Sequence, residues 1–83
     1  MLLISSPCAM DDLKDTVAVN IRRLRNQRGW TQEDLADRAG LSVRYLGQIE
    51  RAQTSTTVTV LGRLALALKV KPAELVEQAS GKV

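Results

Sequence analysis

Histidine and phenylalanine are absent from this chain, and cysteine, tryptophan and tyrosine occur once each. Without an imidazole there is no ordinary general base for a Ser-His-Asp or Cys-His arrangement, and a single thiol, Cys8, completes neither a disulfide nor a zinc site. Enzyme chemistry and metal or disulfide staples are therefore excluded as leading readings, and no cofactor is expected. A Gly-rich phosphate loop is missing too, and the sparse aromatics disfavour a ligand carrier. The first ten residues lack the basic leader and apolar stretch of a signal peptide, and no run reaches the length of a membrane span. These absences lead us to expect a soluble cytoplasmic protein with no membrane partner and Cys8 as a free, reduced thiol.

What is present is an ordinary globular mixture, 45% apolar and 25% charged, in 83 residues, enough for one small domain. The net charge of +3 suits an anionic partner without identifying one. Residues 1–14 carry no sustained periodicity and read as a flexible N-terminal arm; residues 15–79 read as the folded domain, and 80–83 as a frayed end. From Thr16, Val17, Ile21 and Leu24 share one stripe of a helix that Gly29 ends. Thr31 is placed to cap a second helix, with Asp34 three residues on, and Trp30 and Leu35 occupy the positions of a hydrophobic staple. Gly40 closes that helix, and Ser42 caps a third running from Val43 to about Arg51. There Leu46 and Ile49 point inward, while Val43, Arg44, Gly47 and Gln48 lie on the outer side. Thr57 precedes a fourth helix whose Leu61, Leu64, Ala65 and Leu68 form the inward stripe, and Pro72 opens a short fifth. Strand signals are missing, so the expected fold is all-α.

Two short helices joined by a tight turn over Gly40–Ser42 form a helix-turn-helix, in which the second helix is free to enter a DNA major groove. Residues 16–77, above all RRLRNQRGWTQEDLADRAGLSVRYLGQIER followed by LGRLALALKV and PAEL, resemble the lambda, 434 and Cro repressor-like domains, the XRE family. Through SVRYLGQIER the chain is most similar to small restriction-modification controller-type regulators. The resemblance implies a compact five-helix DNA-binding domain that regulates transcription. It implies base contacts from Val43, Arg44 and Gln48, for which a thymine methyl, a guanine and an adenine are the chemical matches. It places Gln32 against a phosphate and sets Tyr45, Arg51, Gln53 and Thr54 along the DNA backbone. It also implies an internal ion pair between Arg25 and Glu50.

Three positions depart from the family pattern. Ala52 stands where many relatives have Gly, so the turn after the third helix either lacks a positive φ or strains one. Thr56 replaces a common Pro, and Gly47 sits inside the third helix, where a bare backbone either permits close approach to DNA or is merely tolerated. Arg22, Arg23 and Arg28 read as a solvated helix face. Leu66, Leu75 and Val76 read as an apolar patch suited to a homodimer, which would bind a palindromic operator on double-stranded DNA. The alternative is an antitoxin or other interaction module on the same scaffold; a toxin or RNA polymerase is a candidate protein partner that the residues do not identify.

Overall fold

The computed structural model describes the backbone of residues 6–77 and the side chains of residues 13–77. Five helices follow one another: α1 (Ser6–Gln27), α2 (Gln32–Ala39), α3 (Val43–Glu50), α4 (Val58–Leu68) and α5 (Pro72–Val76), with no strand among the described residues. Helix α1 is the spine against which α3, α4 and α5 pack, while α2 packs on α3 and α4. Their inward stripes meet in one core that contains Val17, Ile21, Leu24, Leu35, Leu46, Ile49, Leu64 and Leu68.

Helix α1 starts at Ser6, so the arm expected over residues 1–14 is helical from residue 6 onward. Two features account for the longer helix. Pro7 occupies the second helical position, where a missing N–H costs nothing, and Leu13 extends the Val17–Ile21–Leu24 stripe by another turn. Residues 1–5 and 78–83, including the end expected to fray, lie outside the described residues.

The helix starts are fixed by side-chain oxygens. Thr31 Oγ1 accepts from Asp34 N at 3.1 Å while the Asp34 carboxylate accepts from Thr31 N at 2.9 Å, a reciprocal capping box. Ser42 Oγ accepts from Tyr45 N at 3.0 Å, and Thr57 Oγ1 from Val60 N at 3.1 Å. The ends share one device. After each of the first four helices a residue takes left-handed backbone, Gly29, Gly40, Ala52 and Lys69 in turn. The next N–H then reaches back five residues, as from Leu41 N to Ala36 O at 2.8 Å and from Gln53 N to Gln48 O at 2.9 Å.

Leu75 is fully buried and therefore belongs to the core, not to a dimer surface. The reason lies in α1. Asn20, itself fully buried, donates from Nδ2 to Leu75 O and to Glu77 O, both at 2.8 Å, which pins α5 to α1 with Leu75 turned inward. Leu66 is 79% exposed, and Val76 is half-buried against the core. Nor is Arg28 a solvated side chain. It donates to Leu24 O at 3.1 Å and to Leu68 O, the last carbonyl of α4, and its guanidinium lies near the Trp30 ring.

The left-handed turns give a paired test. Ala52 at φ 58° carries a Cβ where Gly would be unstrained, so Ala52→Gly is expected to raise stability by about 1 kcal/mol, a Tm gain of roughly 4–8 °C in a domain of this size. A Cβ added at Gly40, φ 72°, would meet only Arg63 Nη1 at an ordinary 3.8 Å, so Gly40→Ala isolates the same strain with opposite sign. Thermal melts of both variants check the pair. Equal Tm values for Ala52→Gly and the parent would show that the turn carries no strain.

Candidate nucleic-acid interface

Helix α3 spans about 12 Å, too short to hold its place alone, and it is braced from within. Leu46, Ile49 and Glu50 are buried along its inner side, whereas Arg44 is exposed, Val43 is 41% exposed and Gln48 is half-buried on the opposite side. The structure thus groups Val43, Arg44 and Gln48 on one outward face. Tyr45 is half-buried and packs its ring against the core margin.

Gly47 does not offer a bare backbone. It is buried beneath Arg51, whose Nη1 would lie 3.2 Å from a Cβ at that position. Side chains lean toward the N-terminus of a helix, which brings Arg51 back over the residue four before it. From there Arg51 Nε donates to Gln53 Oε1 at 3.3 Å, which places both residues at the C-terminal end of the same face. Thr54 follows in the loop, half-buried.

One polar cluster ties this face to the rest of the domain. Glu50, 2% exposed, receives Arg25 Nε at 2.8 Å on one oxygen and Arg25 Nη2 at 3.1 Å on the other. Arg25 Nη1 continues to Trp30 O at 2.9 Å. Gln32, the first residue of α2, donates from Nε2 to Glu50 Oε1 at 3.0 Å. The cluster joins α1, the turn before α2, α2 itself and α3. Among the described residues no buried side-chain nitrogen or oxygen lacks a hydrogen bond.

The Gln32–Glu50 bond and the Asn20 latch were not anticipated from the sequence. Asn20 had a legible signal, because it falls between Val17 and Leu24 on the inward stripe, where a polar residue must find partners. The Gln32 bond had none, since it depends on the angle between α2 and α3.

The rim of α2 is acidic. Asp34 has its carboxyl held below the usual range, chiefly by the Thr31 main-chain N–H, then by the Thr31 hydroxyl, with a further pull from Arg38. Among the described residues no group of His, Cys, Asp or Glu is placed to hold a metal, and no helix is long and apolar enough to cross a membrane.

The helix-turn-helix family HTH_3 matches residues 21–75, which contain the whole cluster and all of α2 and α3. The chain is 43% identical over 65 residues to the uncharacterized HTH-type transcriptional regulator y4dJ of Sinorhizobium fredii, covering 78% of this chain and 84% of that protein. Among solved structures it resembles the restriction-modification controller protein C.AhdI from Aeromonas hydrophila, with 37% identity, a TM-score of 0.70 and coverage of 72% of this chain and 91% of that one. It also resembles the hypothetical transcription factor NHTF from Neisseria, with 31% identity, a TM-score of 0.82 and coverage of 86% and 82%.

Asp34 generates a pH prediction. A carboxyl whose pKa is depressed on folding stabilises the fold above its unfolded value of about 3.9, and that contribution fades as pH falls through the lower folded value. Denaturant titrations of the parent and of Asp34→Asn should therefore differ most above about pH 4 and converge as pH falls below it. A stability difference that is constant over this window would exclude the capping carboxylate as its source.

Proposed function

The chain belongs to the helix-turn-helix family HTH_3, whose relatives here are transcriptional regulators and not enzymes, and from this premise we propose that it is a dimeric DNA-binding regulator that reads a palindromic operator. The observation that carries this reading is the outward face of α3, with Arg44 exposed, Val43 and Gln48 beside it, and a buried ion pair bracing the helix from behind. Residues 43–51 enter the major groove. Arg44 holds a guanine by two hydrogen bonds, Gln48 an adenine, and Val43 meets a thymine methyl. Gln32, Tyr45, Arg51, Gln53 and Thr54 contact the sugar-phosphate backbone and set the register. The protein acts in the cytoplasm, where its operator is.

A second copy joins along α4. Val58, Gly62 and Leu66 recur at i, i+4 and i+8, with Val58 87% and Leu66 79% exposed, and open space lies over Gly62. A stripe of two exposed apolar residues around a glycine lets two helices approach closely across a two-fold axis, with Val76 at its margin. The two α3 helices would then meet half-sites about 34 Å apart on one side of the duplex.

Competition binding tests the readout. Arg44→Ala is expected to lose about 1–3 kcal/mol of discrimination at one operator position, whereas Gln32→Ala weakens operator and random duplex alike. Equal losses on both DNAs for Arg44→Ala would remove it from base reading. For the dimer, sedimentation of the parent at micromolar concentration should give a dimer and Leu66→Glu a folded monomer. A parent that stays monomeric with and without operator would refute the two-fold assembly.

A further inference from the structure

Gln32 does not stand free at the start of α2. Its amide has two N–H groups, and one is already given to Glu50 Oε1 at 3.0 Å. Glu50 cannot follow Gln32 if that side chain moves, because it is 2% exposed and both its oxygens are bonded to Arg25, at 2.8 and 3.1 Å. Arg25 is tied in turn to Trp30 O, in the turn that leads into α2. We infer that Glu50 is a positioning residue for DNA binding, which fixes the Gln32 amide so that its second N–H is presented to a phosphate before DNA arrives. The inference rests on the reading that Gln32 meets the DNA backbone.

The chemistry of the cluster explains each residue type in it. A glutamine at position 32 can donate inward to a carboxylate and outward to a phosphate oxygen at once. A glutamate there would repel both, and a lysine would be drawn toward Glu50 as a competing cation. Arg25 has a second role in this arrangement. A lone carboxylate behind Gln32 would repel the incoming phosphate, whereas the Arg25–Glu50 pair presents little net charge. Holding the amide in advance also removes the cost of freezing a flexible side chain on binding, which is otherwise subtracted from affinity. Glu50 itself touches no DNA: it braces α3 through Arg25 and positions the phosphate donor through Gln32.

A double-mutant cycle of Gln32→Ala and Glu50→Asp, read as affinity for operator and for random duplex, tests the inference. Glu50→Asp keeps the charge and lets the long Arg25 side chain follow, but withdraws the carboxylate by one methylene from Gln32, which is fixed to α2. Each single variant is expected to weaken both DNAs by about tenfold, with the double variant no weaker than Gln32→Ala, because both remove the same contact. The salt dependence should be unchanged, since Gln32 carries no charge. Losses that multiply in the double variant, or full affinity in Glu50→Asp beside a weakened Gln32→Ala, would overturn the inference alone. Full affinity in Gln32→Ala would overturn the phosphate contact and the inference with it. If circular dichroism shows Glu50→Asp unfolded, relaxation of the Gln32 side-chain amide in the unaltered free protein decides. Order close to that of the backbone is expected, and the mobility of an ordinary surface glutamine would overturn the inference.

Discussion

The carboxylate of Glu50 is nearly out of reach of water, and a buried charge of this kind is tolerated only when its partners are in place. Arg25 supplies two of its three hydrogen bonds in a parallel fork, the geometry in which guanidinium and carboxylate match best, and Gln32 supplies the third. The two residues come from α1 and α3, twenty-five positions apart. The pair therefore acts as a distance and angle constraint between the spine of the domain and the helix that faces outward. Such a pair contributes little net stability over an apolar replacement, yet removing one partner costs about 3–5 kcal/mol because the other is left uncompensated. Its effect is on orientation. Leu46 and Ile49 allow α3 to slide or roll over an apolar surface, whereas the fork permits one arrangement.

A second constraint comes from how the helices end. Tight left-handed turns end α1, α2, α3 and α4 abruptly, with three residues between α2 and α3 and three between α4 and α5, and the backward hydrogen bonds satisfy carbonyls that would otherwise be orphaned. Glycine fills this position after α1 and α2, while Ala52 and Lys69 fill it after α3 and α4. The packing of α3 and α4 against the core is thus strong enough to hold non-glycine residues in a strained region. The strain at Ala52 lies immediately beside the residues that would grip the DNA backbone, Arg51 and Gln53.

Much of the fold was legible because it is local. Thr31, Ser42 and Thr57 each cap the helix that follows, and the i, i+3, i+4 stripes name the buried residues of α1, α3 and α4, since one side chain and its near neighbours decide these features. The outward placement of Arg44 and Gln48 follows from the same wheel. Longer-range matters were not legible. Leu75 reads as surface until Asn20 is seen to pull α5 onto α1, and Arg28 reads as solvated until the last carbonyl of α4 is placed beside it. Gly47 reads as open until the Arg51 side chain is laid back along the helix. In each case a long or polar side chain crosses between elements, and periodicity carries no information about where it goes.

The charge distribution limits how the outward face can work. A net charge of +3 is modest for a DNA-binding chain, and the first turn of α2 carries Glu33 and Asp34 close to where a phosphate would sit. Asp34 is occupied with Thr31, so its charge is partly spent within the capping box, but Glu33 is exposed and opposes an approaching backbone. Little non-specific attraction is expected through that turn, and on the proposed reading affinity would come from Arg44 and Arg51 on the α3 side together with neutral donors such as Gln32. A single copy with so little net charge would be held weakly on DNA. Two copies joined along α4, as proposed, would turn the second half-site into an intramolecular partner, so that correct spacing would multiply affinity without any added contact. The weak charge and the exposed apolar stripe of α4 would then belong together, because a surface that binds poorly as one copy discriminates best when two copies must fit at once.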